Sequence, residues 1–217
     1  MLIEKDFGLL SPARQYTGID SGKVCAMKAP QRSASEIIPA IEHWVASVVV
    51  QHRFCPFAKP ALEADWVSYT VLDGSHSEAV LEQIADRISQ LLERNEPDAT
   101  ELLILSDCAE SFDDFLDLTA IAEALIESMG WQESIQLASF HPQYCFAETS
   151  PESIENYTNR APWPVIQLLQ VDSVGRAIDK LGNADEIPVR NVAHLNAMDD
   201  ASANQLVSAS SPPTLKH

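Results

Sequence analysis

The sequence predicts an α/β domain: a small, mainly parallel sheet with helical crossovers in the order α-β-α-β-α-β, followed by a C-terminal helical and loop extension. Three observations predict it. Stretches with apolar residues at helical intervals alternate with short strand-like runs, and such alternation marks strands joined by right-handed helical crossovers. One of those runs, residues 102–105, is apolar without a break, as a strand covered on both faces is. The chain has 217 residues, 46% hydrophobic and 21% charged, which is enough to bury one core and too short for two full domains.

The domain is expected over residues 34–198. Residues 1–33 mix Gly, Pro, Ser and scattered charge without periodicity and read as a poorly ordered segment, and 199–217 reads as a disordered, Ser/Pro-rich tail. Ser33-Ala34-Ser35-Glu36 has capping-box spacing, and Ile37, Ile38, Ile41, Trp44, Val45, Val48 and Val49 follow at helical intervals, so one helix is expected over 35–51. Residues 66–72 alternate as a strand. A second box, Ser75 to Glu78, opens a helix with the stripe Val80, Leu81, Ile84, Ile88, Leu91 and Leu92. The apolar strand 102–105 comes next, then a helix from near Ser111 that stops at Gly130, and then a strand over 134–140. Short helices are expected near 164–171, 173–181 and 188–198, with Pro164 and Pro188 in first turns and Gly182 as a stop.

Charge narrows the function. Lys and Arg number 14 against 32 Asp and Glu, a net charge of −18, which repels phosphate backbones and anionic lipid and argues against nucleic-acid or membrane partners. The N-terminus lacks the pattern of a secretory signal, and no run approaches a membrane span, so the expected location is the cytoplasm. Cys25, Cys55, Cys108 and Cys145 form no CxxC pair and are expected as free thiols. Neither GxGxxG nor GxxxxGK[ST] occurs, so no nucleotide cofactor is indicated, and oligomeric state is left open.

Ligands of open α/β sheets bind outside the carboxyl ends of parallel strands, here Asp73, Asp107 and His141. These three could form a metal or acid–base group, but Asp at a strand end is more often an ordinary turn residue or helix cap. From Ala61 to Asn159 there are 21 acidic residues and two basic ones, Arg87 and Arg94, both placed where a helix shows a solvated face. Against that background Arg53 and Lys59 flank Phe54-Cys55-Pro56-Phe57-Ala58, and Arg160 closes Asn156-Tyr157-Thr158-Asn159. If the two segments meet, they make an electropositive hole for a small anion, with Arg160 supplying a planar fork. Alternatively Arg160 pairs with one of the many carboxylates.

Three segments carry a resemblance: His43-Trp44-Val45 through Cys55-Pro56-Phe57-Ala58-Lys59-Pro60, then Ala138-Ser139-Phe140-His141-Pro142-Gln143-Tyr144-Cys145-Phe146-Ala147, then Asn156 through Pro164. Over roughly 34–198 the chain resembles the bacterial family called domain of unknown function 1415. The resemblance implies that the three segments belong together, and it brings no activity. Cys145 and Trp163 depart from the choices expected there, so a Cys55–Cys145 redox pair would be peculiar to this chain.

Two readings share these residues. In the first, the protein is an enzyme acting on a small anionic metabolite. Cys55 is its nucleophile or redox centre, with a pKa lowered by Arg53 and Lys59, and His141 is its acid–base. Arg53, Lys59, Tyr144, Asn156, Tyr157, Asn159 and Arg160 bind the substrate. In the second, the same pocket is a non-catalytic module for a small anion or a partner protein. Each residue also has a structural alternative: Cys55 as a buried small hydrophobe, His141 hydrogen-bonded in a loop, the Asn156–Arg160 run satisfying buried backbone, and Tyr144 as packing.

Overall fold

The computed structural model describes residues 33–94, 96–147 and 149–211. The expected N-terminal segment, apart from Ser33, lies outside them.

Helix α1 (Ala34–Trp44) starts where the capping-box spacing puts it: the Glu36 carboxylate accepts from the Ser33 N–H at 3.1 Å and from its hydroxyl at 3.0 Å. It does not continue unchanged to 51. From Val45 to Val50 the turn widens into a π-helix, closed by Gln51 N–H to Ala46 O at 3.1 Å and Phe54 N–H to Val49 O at 3.0 Å. Arg53 then takes φ 56°, a left-handed conformation unusual outside glycine, which ends the helix and leads into the turn that carries Cys55. There follow α2 (Ala58–Glu63), β1 (Val67–Leu72), α3 (Ser77–Glu93), β2 (Thr100–Leu105), α4 (Phe112–Ser128) and β3 (Ile135–Phe140). The Ser111 side chain accepts from the Asp114 N–H at 3.1 Å to start α4, and Gly130 (φ 73°) follows its end.

The fold class is a mixed α/β sheet with helices between strands. β1 and β2 pair in parallel, with Val67 opposite Thr100 and Leu72 opposite Leu105. The expected helix near 164–171 is instead a fourth strand, β4 (Val165–Gln170), inserted between β2 and β3 and antiparallel to both, in the order β1-β2-β4-β3. Val-Ile-Gln-Leu-Leu-Gln fits either periodicity over six residues, and two open strand edges decide in favour of a strand. Three of the four strands therefore run the same way, with β4 reversed. The C-terminal extension is helical: α5 (Val171–Leu181), α6 (Glu186–Asn196) and α7 (Asp200–Ala209). Helix α7 corrects the reading of a disordered tail over residues 199–211, and residues 212–217 lie outside the described residues. The Asp199 side chain accepts from the Ser202 N–H at 2.7 Å, and Leu206 is buried against α1 and the sheet, so one cap and one anchor hold a mostly polar helix.

The strands sort side chains to two cores. Leu103, Leu105, Ile166 and Leu168 face Val80, Ile84 and Ile88 of α3 and Phe115, Leu118 and Ala122 of α4. Leu102, Ile104 and Val165 face Ile37, Ile41 and Trp44 of α1, Val45 and Val48, and Leu195 of α6. That is why β2 is buried along its whole length and its residues 102–105 read as a continuous apolar run. No described helix is long and apolar enough to cross a membrane.

Candidate functional site

The second face of the sheet is incompletely covered. Between α1 with its π-helical extension on one side and α5 with α6 on the other, a cleft of about 500 Å³ opens onto the strands, within the size range of small-molecule sites. Its floor consists of the side chains that alternate onto this face: Thr100 and Leu102 of β2, Gln167 and Leu169 of β4, Ala138 and Phe140 of β3. Its walls are mostly apolar, including Trp44, Val49, Phe54, Phe57 and Trp66. Thr100 spans the floor, its hydroxyl donating to Leu168 O at 2.7 Å while accepting from Gln167 Nε2 at 3.0 Å.

All three segments of the resemblance reach this cleft: the Cys55–Ala58 turn, Phe140, and Thr158 with Asn159. Helix α6 clamps the first of them. Arg190 Nη2 donates to Arg53 O at 2.5 Å and Asn191 Nδ2 donates to Phe54 O at 2.9 Å, while Ile187 joins Phe57 in a small separate cluster. The cleft lies across the sheet face rather than outside the strand carboxyl ends, where the sequence places it, because the insertion of β4 leaves no crevice between diverging parallel strands.

Cys55 lines this cleft as a half-buried thiol. Burial pushes its pKa up, outweighing the Phe57 and Ala58 N–H groups and the charge of Arg190 that favour the thiolate. The expectation of a lowered pKa is thereby corrected. Arg53 and Lys59, the cations expected to lower it, are both exposed, and Lys59 pairs with Glu63 at 3.6 Å. Alkylation of the native protein is expected to give a pH midpoint for Cys55 above that of the unfolded chain, read by mass-spectrometric mapping; a midpoint below it would restore the activated thiol.

His141 is not brought to Cys55. Its ring is fully buried against Phe112 and Phe115 of α4, on the opposite core. Nδ1 accepts from the Gln143 N–H at 3.0 Å and Nε2 donates to Ala109 O at 3.2 Å, so both nitrogens have main-chain partners. Burial pushes its pKa down to about 4, past the opposing pull of the Ala109 and Glu110 carbonyls. It serves neither as the base for Cys55 nor as a ligand with Asp73 and Asp107: among the described residues no three of His, Cys, Asp and Glu form a group able to hold a metal ion.

The polar run 156–160 holds the chain's own loops. Asn156 is fully buried; its Oδ1 accepts from Phe146 N–H at 3.0 Å and Thr149 Oγ1 at 2.7 Å, and its Nδ2 donates to Ser150 O at 2.8 Å. Asn159 donates to Ser139 O at 3.2 Å, and its own carbonyl accepts from the His141 N–H at 3.1 Å. Arg160 donates to Tyr144 O at 3.1 Å and Pro151 O at 2.6 Å and lies 4.7 Å from the Tyr157 ring centroid, a cation–π contact. Tyr144 is buried against Phe112 and Phe146. Of the residues expected to bind substrate, Asn159 alone lines the cleft. Arg53, Lys59 and Arg160 do not, so the electropositive hole is not formed from them. The cations beside the cleft are Arg176 and Lys180 of α5, with Asp98. The sequence signal that could have pointed to the floor is polar Thr100 and Gln167 on strand faces that are otherwise apolar, Leu102 and Ile104 of β2 and Val165 and Leu169 of β4.

Residues 36–205 match the family model described as protein of unknown function (DUF1415). No curated protein and no solved structure matches the chain.

Proposed function

The chain belongs to the DUF1415 family, proteins of unknown function, and from that premise we propose that it binds a small organic molecule in the cleft over the open sheet face. The observation that carries this reading is the cleft itself: about 500 Å³, walled largely by apolar side chains, with a few placed polar groups on its floor. Its contact with all three family-like segments supports it further. Binding is favoured over nucleophilic catalysis, because the Cys55 thiol is held neutral by burial and His141 has both nitrogens committed to the main chain. In this reading Cys55 and Phe57 shape the wall, and Asn191 holds that wall to α6.

Ala138 marks the place to test it, since its side chain points from the middle of β3 into the cleft. Ala138→Trp is expected to fill the space, keep the fold, and abolish ligand-dependent thermal stabilisation. Wild type at about a hundredfold excess over Kd gains roughly 2.7 kcal/mol. Trp66, 39% exposed at the cleft wall, gives a fluorescence readout of occupancy in the same titration. Undiminished binding by the Trp variant would move the site elsewhere.

A further inference from the structure

We propose that the ligand is an amphipathic organic anion, lying along the cleft with its negative group at the α5 end beside Lys180 and Arg176 and its apolar body directed towards Phe140. The inference rests on the cleft being the binding site and adds the chemical class and the orientation.

Charge carries the class. Among the described residues that line the cleft, the ionisable side chains are Cys55, Asp98, Arg176 and Lys180. Asp98 is already committed: its Oδ1 accepts from Arg176 Nη2 at 2.6 Å and from Ser173 Oγ at 2.8 Å, and these contacts hold its carboxyl below the usual range. A cationic ligand would have to break that pair to find a counter-charge. Lys180 stands one turn beyond Arg176 on the same helix face, and no described carboxylate lies within 4.0 Å of its amine. Lys180 also acts on Asp98 through its charge, but two cations face one carboxylate there, so the cleft keeps a net positive charge in a protein of net charge −18.

Topology carries the orientation. Asp98 and Thr100 sit at the start of β2, whereas Phe140 ends β3, and β2 and β3 both run opposite to β4. The charged group and Phe140 therefore lie at opposite ends of the sheet face. Through β4, Phe140 is level with Ile104, four residues along β2 from Thr100, or about 13 Å. At the far end Phe140 meets Trp44 edge-on, with ring centroids 5.2 Å apart, and no ionisable side chain lines that part of the floor. An apolar chain with one terminal anion matches this gradient.

The test compares three probes with one skeleton, decanoate, decan-1-ol and decylammonium, each below its micellar concentration, by Trp fluorescence and thermal shift on the full chain and on Lys180→Gln. Decanoate is expected to bind about tenfold more tightly than the alcohol. Lys180→Gln is expected to erase most of that ratio while leaving the alcohol's affinity unchanged. Equal affinities for acid and alcohol, or tighter binding of the ammonium, would overturn the inference and leave the cleft reading standing. If no probe binds wild type, or if Ala138→Trp binds all three as wild type does, the cleft reading falls and takes this one with it.

Discussion

Replacing Arg87 by Met is expected to destabilise the protein by about 3–5 kcal/mol, the range for removing one partner of a buried ion pair. Glu101 lies on β2 with its side chain fully buried beneath α3. Its Oε1 accepts from Thr70 Oγ1 at 2.5 Å, from Arg87 Nε at 2.7 Å and from Arg87 Nη2, while Oε2 has no hydrogen-bond partner. Without the guanidinium, a carboxylate stays in the core with one hydroxyl as its support, and the desolvation that the pair offsets is no longer offset. The double change Arg87→Met with Glu101→Leu is expected to recover most of the loss, because the charge and its partner leave together and the face of β2 towards α3 becomes apolar throughout. Denaturant unfolding of both singles and the double closes the cycle. A cost below about 1 kcal/mol for Arg87→Met would mean that the pair behaves like an exposed one.

The same pair shows where local pattern reading stops. Arg87 falls on a helix position that looks solvated, and its stem does reach the surface, with the side chain 23% exposed. What the pattern lacks is Glu101, fourteen residues away on the neighbouring strand. The helices were legible because their information is local: Ser33 and Ser111 sit at their starts, Gly130 and Gly182 take φ of 73° and 74° at two of their ends, and the apolar stripes face a single core. β4 was not, since its identity comes from the edges of β2 and β3. Nor was α7, whose place depends on Leu206 finding a pocket against α1 and the sheet.

The candidate site divides in the same way. That three separated segments belong together was implied by the family resemblance, and they meet at the cleft. Their roles were not readable. Asn156 and Arg160 look like substrate ligands because they offer many hydrogen bonds, yet a long irregular connection such as 141–164 needs those bonds for its own backbone. The side chains that meet the cleft with positive charge, Arg176 and Lys180, stand on a helix more than a hundred residues after Cys55, and nothing near them in sequence marks a site.

Acidification is expected to act on the fold through His141. The group has a pKa of about 4 in the folded protein against 6.5 when unfolded, so between these values the unfolded chain carries the extra proton. Stability therefore falls as pH drops from 6.5 towards about 4. The contribution lost across that window is about 3 kcal/mol at 1.36 kcal/mol for each pH unit. The physical cause is geometric: protonating Nδ1 turns the acceptor facing the Gln143 N–H into a donor, and the new charge sits between the rings of Phe112 and Phe115 with no carboxylate hydrogen-bonded to it. His141→Asn keeps an acceptor near the Nδ1 position, gives up the bond to Ala109 O at a cost of roughly 1–2 kcal/mol at neutral pH, and cannot titrate. Urea unfolding at intervals from pH 4.5 to 7.5 is expected to show wild type and variant converging as the pH falls. Parallel curves would mean that His141 gains its proton in the folded state without difficulty, so that burial does not hold the ring neutral.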